Sequence, residues 1–405
     1  MDERTRARYL GHATAAANWY VNTQCTETRP WGPVHNLADE GRFIYEVYKG
    51  TGWMRGSGVW AQAMAIMDLF DVAQAVGGGK YSVAARVGTR YLLSLQCLDV
   101  RHPECQGAFW EHVPTDTISL VRDGATGCFG LAYLYAHTGE AEYLQRAKLF
   151  CDWYMKYGCK EADCWPYLYF DFAKRLGHSY RAMDDPSFHD GRKKEGVDGD
   201  WQAGGGLALY YTGLLSGEQR YIEEGFRPML EKVVRIYDAH GDDPAMAGWH
   251  GETPLTYGND DFVFIALAAG FRHFKDDRYL HHLKKRTRTH LDWMADDGSY
   301  PNYGATFTCS IEHLEYLRLA EEFGFTDHVD EVRAAVERTA AFGLTLQERD
   351  LNERFFYGGL YGQTSYGVER DRIHQRSTGY SINFYLKLAG SHWPRTFSSY
   401  GWEKT

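Results

Sequence analysis

Cationic residues are in short supply in this chain: 44 Lys and Arg stand against 54 Asp and Glu, a formal net charge of −10 over 405 residues. Without clustered cations a protein gains little affinity for phosphate backbones, so a DNA- or RNA-binding function is excluded as a first reading. The longest basic run, Lys284-Lys285-Arg286-Thr287-Arg288, falls at helical spacing and reads as a solvated helix face. Long apolar runs are missing too: no stretch approaches the ~20 residues that span a bilayer, so no membrane partner is expected. The charged start Met1-Asp2-Glu3-Arg4 is followed by no apolar signal core. No Asn-x-Ser/Thr sequon occurs. Both point to a cytoplasmic chain, or to a periplasmic or secreted one whose signal was removed.

Cysteine is scarce as well. Eight residues in a chain of this length cannot form a disulfide scaffold. Two close pairs, Cys97 with Cys105 and Cys159 with Cys164, each bracket a polar loop; free thiols are the first reading and loop disulfides the alternative. Neither pair has the C-x-x-C spacing of a zinc site. H-E-x-x-H and glycine-rich phosphate motifs are absent, and Gly204-Gly205-Gly206 reads as a close helix contact. No metal and no cofactor are expected.

What the chain does have is aromatic residues: 12 Trp, 29 Tyr and 21 Phe make up 15% of it, yet the mean hydropathy is −0.49. Many rings therefore come with polar neighbours, as they do in sugar clefts, where a flat face stacks on a pyranose and the OH or NH reaches water.

The order along the chain is repetitive. A short turn followed by an aromatic recurs after apolar segments, most clearly at His137-Thr138-Gly139-Glu140-Ala141-Glu142-Tyr143, Ser216-Gly217-Glu218-Gln219-Arg220-Tyr221 and Lys275-Asp276-Asp277-Arg278-Tyr279. Gly after a helix supplies a left-handed cap, and the aromatic one turn into the next helix can clamp new helix to old. Reading outward from the turns predicts amphipathic helices over 3–23, 80–97, 140–157, 218–239, 277–295 and 327–347. They alternate with helices apolar nearly all round over 57–76, 124–137, 201–215, 260–274, 309–323 and 377–389. A helix apolar on every side is buried on every side. Six of each describe two concentric rings: an all-α (α/α)6 barrel in one domain, 1–405. No strand-rich segment of useful length and no Pro/Ser linker is evident.

In such a ring the long loops lead into the inner helices, here 24–56, 98–123, 158–200, 240–259, 296–308 and 348–376. Inner-helix N-termini carry partial positive charge, so the mouth suits anionic ligands. Polar aromatics and ionisable residues crowd these loops: Trp31, His35, Tyr45, Trp53, Arg55 and Trp60; Trp110, Glu111, His112, Arg122 and Asp123; Asp198, Asp200 and Trp201; Trp249, His250 and Asp260; His374, Arg376, Ser377 and Tyr380. Each has a plainer role. Asp123, Asp200, Asp260 and Ser377 stand where a helix N-cap belongs. Arg55, Arg122 and Arg376 can pair with loop carboxylates, the histidines can be loop hydrogen-bonders, and the tryptophans divide between core and cleft. It is the constellation that points to an oligosaccharide, anionic if the arginines bind it.

In architecture, across almost its full length, the chain resembles the six-hairpin glycosidase superfamily, and within it the unsaturated glucuronyl and rhamnogalacturonyl hydrolases. That resemblance implies catalytic aspartates at Asp123 and at Asp198 or Asp200. An acid would protonate the double bond of a 4,5-unsaturated uronic acid and water would add to give an unstable hemiketal. A Trp-lined cleft and a second carboxylate would raise the acid's pKa. Two rivals share the fold class. A polysaccharide lyase would use His374, Arg376 and Tyr380 with His35 and Tyr45 for β-elimination. A sugar 2-epimerase would interconvert free sugars with a pair of facing histidines.

Overall fold

The computed structural model describes residues 1–33, 36–113, 116–160, 163–167, 169–178, 204–240, 261–300, 305–364 and 367–390. Twelve α-helices alternate among them: α1 (Glu3–Thr23), α2 (Val59–Val76), α3 (Gly79–Ser94), α4 (Val121–Thr138), α5 (Ala141–Trp153), α6 (Gly204–Ser216), α7 (Arg227–His240), α8 (Asp261–Phe274), α9 (Asp277–Trp293), α10 (Ala305–Phe323), α11 (Val329–Gly343) and α12 (Gln375–Ala389). Each expected helix is present, with ends displaced by a few residues, except that those expected over 140–157 and 218–239 are α-helical only in part: Tyr154–Gly158 after α5 and Tyr221–Phe226 before α7 are π-helical. The chain divides into two compact units, one of Met1–Leu93 with Thr287–Thr405 and one of Ser94–Arg286.

The repeat turns do what their sequences suggest. Gly139 caps α4 with φ +72, and Gly217 follows α6 with φ +76, conformations that cost a residue with a Cβ. The aromatics after the turns are buried and bind the preceding amphipathic helix: Tyr81 Oη meets Asn18 at 2.9 Å, Tyr221 Oη donates to Asp152 at 2.7 Å and Tyr279 Oη to Glu231 at 3.0 Å.

Inner helices are buried as predicted, but not uniformly apolar. In the first unit α2 has fourteen buried residues, Asp68 and Asp71 among them. By length and composition α2 is apolar enough to cross a membrane, contrary to the sequence reading, and 78% of it is buried in the protein. Helix α10 buries Thr306, Thr308, Ser310, Glu312, His313 and Glu315. In the second unit, a Cβ at Gly205 would meet Tyr154 Oη at 2.7 Å and one at Gly206 would run into Met229 Cε, so this run serves close helix packing. The basic run of α9 is not wholly solvated: Arg286 is buried and donates to Tyr237 Oη at 3.0 Å, and Thr287 is buried.

Strands are present where none were expected. In the first unit β1 (Ile44–Tyr48), β2 (Met54–Gly56), β6 (Tyr361–Thr364) and β7 (Gly367–His374) form an antiparallel sheet in the order β2-β1-β7-β6. In the second unit β3 (Ile118–Leu120), β4 (Tyr169–Asp171) and β5 (Leu176–His178) form another. Both sheets are built from loops that enter inner helices.

Candidate functional site

The four-stranded sheet joins the loop before α2 to the loop before α12. Its register sets Glu46 opposite both Arg55 and His374, and Tyr48 opposite Arg372. A bulge between Ile44 and Glu46 breaks the alternation of β1, which lets Tyr45 turn its ring onto His374 at 4.7 Å. Around this contact Tyr45 meets Trp60 at 6.4 Å and Trp60 meets Tyr380 at 6.3 Å. The Arg55 guanidinium lies 4.5 Å over Tyr45, and that of Arg376 lies 5.7 Å over Trp60 and 5.9 Å over Tyr380. Six residues expected at the mouth, Tyr45, Arg55, Trp60, His374, Arg376 and Tyr380, thus form one cluster.

His374 is the N-cap of α12. It is extended (φ −130, ψ 129), and its Nδ1 accepts the backbone N–H of Arg376 at 3.1 Å. Burial, followed by the cations Arg372, Arg376 and Arg55, holds its pKa well below the usual histidine value. The imidazole is therefore neutral, and with Nδ1 occupied as an acceptor its proton sits on Nε2. The helix N-terminus favours the same state. Beneath the cluster Glu46 is buried and bridged by Arg55 at 3.0 Å and Arg372 at 3.1 Å, with Glu369 also paired to Arg372. Trp60 is buried, and its Nε1 makes no hydrogen bond with the described groups.

The second unit carries a separate acidic group. Glu111 is buried and accepts the Leu120 backbone N–H at 3.3 Å. Burial, then the neighbouring Asp123 and a hydrogen bond to it, hold the Glu111 pKa well above the ordinary carboxyl range, which favours a protonated Glu111. Arg122 pairs with Asp123 at 2.6 Å. Nearby in sequence, His112 Nδ1 lies 3.3 Å from Asp116, and Trp110 packs on Phe172 at 5.4 Å, so these two expected mouth residues have structural partners.

Two expected caps are corrected. Strand β3 runs straight into α4, so extended Leu120 takes the N-cap and Asp123 falls inside the first turn, where its carboxylate pairs with Arg122. In α12 the cap is His374, which leaves Ser377 buried inside the helix. Trp31 is fastened to the end of α1 through its Nε1, which donates to Thr23 O at 2.9 Å. His35, Asp198, Asp200, Trp201, Trp249, His250 and Asp260 lie outside the described residues. Sequence reasoning named Glu111 as a mouth-loop residue without a role, and gave no role to Glu46 or Arg372. Glu111 stood beside Trp110 in a recognised motif, but the pairing of Glu46 with Arg372 spans 326 residues and leaves no local signal. Among the described residues no group of three His, Cys, Asp or Glu is placed to hold a metal ion.

No protein-family model matches the chain, and no curated protein matches its sequence. Solved structures match over nearly its whole length. A cellobiose 2-epimerase from Bacillus thermoamylovorans is similar over 96% of this chain and 100% of that one, with a TM-score of 0.70 at 12% identity. A family 76 glycoside hydrolase from a bovine Bacteroides thetaiotaomicron strain is similar over 94% of this chain and 77% of that one, with a TM-score of 0.62 at 14% identity. An α-1,6-mannanase of Salegentibacter, inactivated at two consecutive aspartates and bound to α-1,6-mannotriose, is similar over 95% and 100%, with a TM-score of 0.58 at 13% identity. These likenesses establish the (α/α)6 fold that the repeat predicted. At the level of fold they also bear out the resemblance to six-hairpin glycosidases, while the narrower likeness to unsaturated glucuronyl hydrolases is not shown.

Proposed function

We propose that this chain is a carbohydrate-processing enzyme that rearranges a reducing sugar by proton transfer, as an epimerase or isomerase does, at the cluster around His374. The observation that carries this reading is the geometry around His374: its Nδ1 accepts the Arg376 backbone N–H among aromatic rings with guanidinium groups over them, while burial and those cations disfavour the charged imidazole, which leaves Nε2–H as the donor. A neutral donor polarises a sugar carbonyl without giving up its proton early. As a proton leaves the adjacent carbon, charge builds on the carbonyl oxygen, where such donors and cations stabilise it most. Tyr45 and Trp60 supply faces for the sugar, backed by the buried Tyr380, and the Trp60 indole N–H is a donor that a sugar hydroxyl would satisfy.

Because its Nδ1 is occupied, His374 is the donor and not the base. The reading therefore requires a second group to remove the proton, and His35 and His250, expected at the mouth from the sequence, are its candidates. The likeness in fold to a cellobiose 2-epimerase supports the same chemistry. Arg55 is already balanced by Glu46, so we assign the arginines to developing oxyanion charge in preference to a substrate uronate.

A glycoside hydrolase is the second reading, favoured by the protonated Glu111 beside Asp123 and by the fold of the mannanases. Carboxyl groups within hydrogen-bonding distance are too close to flank a glycosidic bond, which takes a separation of about 5 Å or more. Hydrolysis would therefore need a further carboxylate, with Asp198 and Asp200 as candidates.

Incubation in D2O with cellobiose and with α-1,6-mannotriose, followed by NMR, separates the two. Deuterium at C2 with a new epimer supports proton transfer. New reducing ends without deuterium at carbon would sink it in favour of hydrolysis.

A further inference from the structure

We propose that Cys159 and Cys164 form a reversible disulfide by exchange with a small-molecule disulfide such as oxidised glutathione, and that this bond fastens the neck of the segment leading from α5 toward α6. Their sulfurs lie 3.3 Å apart. A disulfide bond is ~2.05 Å long, so closure requires an approach of about 1.2 Å.

The backbone already holds the two residues in a closed turn. The Lys160 N–H donates to Trp165 O at 2.8 Å, the Cys164 N–H to Lys160 O at 3.0 Å, and the Tyr167 N–H to Gly158 O at 2.9 Å. Cys159 forms an isolated bridge with Pro166, and Tyr154 Oη donates to Cys164 O at 3.1 Å. Cys164 itself has φ +55, a left-handed conformation that a non-glycine residue adopts only when its surroundings impose it. Lys232 ties the turn to α7, pairing with Asp163 at 3.2 Å and lying 4.6 Å over the Trp165 ring. The bond would therefore lock a turn that is already formed and force no new one.

Both sulfur-bearing residues are 6% exposed, whereas the next close pair, Cys128 and Cys151 at 3.8 Å, is fully buried between α4 and α5. The attacking protein thiolate must line up with the S–S bond of the oxidant, so the oxidant has to reach it, which favours the first pair. Exchange proceeds in two balanced steps. One cysteine thiolate attacks a sulfur of the oxidant, forming a mixed disulfide and releasing one glutathione. The second cysteine then displaces the other glutathione. Two protein thiols are oxidised, one external S–S bond is reduced to two thiols, and the two protons pass to the departing thiolates.

The pair lies just before β4, which hydrogen-bonds to β3 at the entrance to α4. The segment it fastens thus leads to the strands beside Glu111 and Asp123. The test is to incubate the full-length protein with oxidised glutathione, quench with acid, and measure intact mass, free thiols in denaturant and linked peptides. The expected result is a loss of about 2 Da, a fall in titratable thiols from the eight free cysteines by two, a Cys159–Cys164 crosslink, and reversal by dithiothreitol. Cys159→Ser should abolish the crosslink, and Cys128→Ser should leave it. Retention of all eight thiols, a stable mixed disulfide on one cysteine, or a crosslink mapping to Cys97–Cys105 or Cys128–Cys151 would each overturn the proposal.

Discussion

Arg376 gives its backbone N–H to the Nδ1 of His374, two residues earlier, at 3.1 Å. One hydrogen bond thus starts a helix and fixes which nitrogen of a buried imidazole carries the proton. The two roles come apart in variants. His374→Ala should lower turnover 10²- to 10³-fold, the usual cost of losing an oxyanion donor, and should cost about 1 kcal/mol of stability through the lost cap. His374→Asn keeps a good capping side chain, so its unfolding midpoint should return towards wild type while turnover stays low. Recovery of turnover in His374→Asn would show that only the cap matters.

Burial also keeps His12 and His313 neutral. It depresses the pKa of each to about 3; for His12 the cations Arg349 and Arg8 add to the effect, and for His313 His290 does. In the unfolded chain these histidines titrate near 6.5 and take up protons that the folded state refuses. Stability is therefore fully present above 6.5 and is lost as pH falls from there towards 3, by on the order of 5 kcal/mol per histidine at the acid limit. Urea titrations between pH 7 and 4 should show this slope. His12→Phe, whose ring would lie against Tyr385 as the imidazole does at 4.3 Å, should flatten it.

Glu111 has the opposite sign. Its folded pKa is raised, so the folded state holds a proton that the unfolded chain releases near 4.5. Stability from this group is present below that value and is lost as pH rises. Glu111→Gln keeps a donor toward Asp123 and cannot ionise. It should stabilise the protein by more than about 1 kcal/mol at pH 8, with the advantage gone by pH 4. Equal unfolding curves for variant and wild type at pH 8 would contradict a Glu111 that is protonated in the fold.

Glu46 and Arg55 should separate stability from function. Glu46→Ala strands the buried Arg372, which keeps Glu369 as a partner. The expected cost is about 3 kcal/mol, the lower end for breaking a buried pair. The Arg55 side chain is 46% exposed, so Arg55→Ala should cost under about 1 kcal/mol yet reduce turnover, because its guanidinium lies over Tyr45 beside His374. Denaturation and rate measurements on the two variants check both halves.

The helices were legible because their signals are local: apolar periodicity, a glycine after most of the inner helices and an aromatic one turn on. The strands were not. Gly367–His374 reads as a polar loop because its charged residues, Glu369 and Arg372 among them, find partners only when β6 and β1 are brought alongside. His374, Arg376 and Tyr380 stood out as a motif before α12, and Tyr45 was set across the mouth from them in one reading, whereas Trp60 and Arg55 were visible only as members of a distant loop. Nothing in the spacing said that a bulged strand would lay Tyr45 on His374, and the same argument applies to Glu46.

The tyrosine clamps also bear on how such a chain can change. Tyr81, Tyr221 and Tyr279 each fasten one amphipathic helix to its predecessor across 63, 69 and 48 residues, from the end of the hairpin opposite the long loops. The joints and the loops therefore draw on different residues. A lineage can lengthen, shorten or rewrite a loop, and with it the chemistry at the helix entrances, while the mortise between neighbouring hairpins stays as it was. For protein engineering, this makes the long loops the place to graft new specificity and the turn tyrosines the positions to leave untouched.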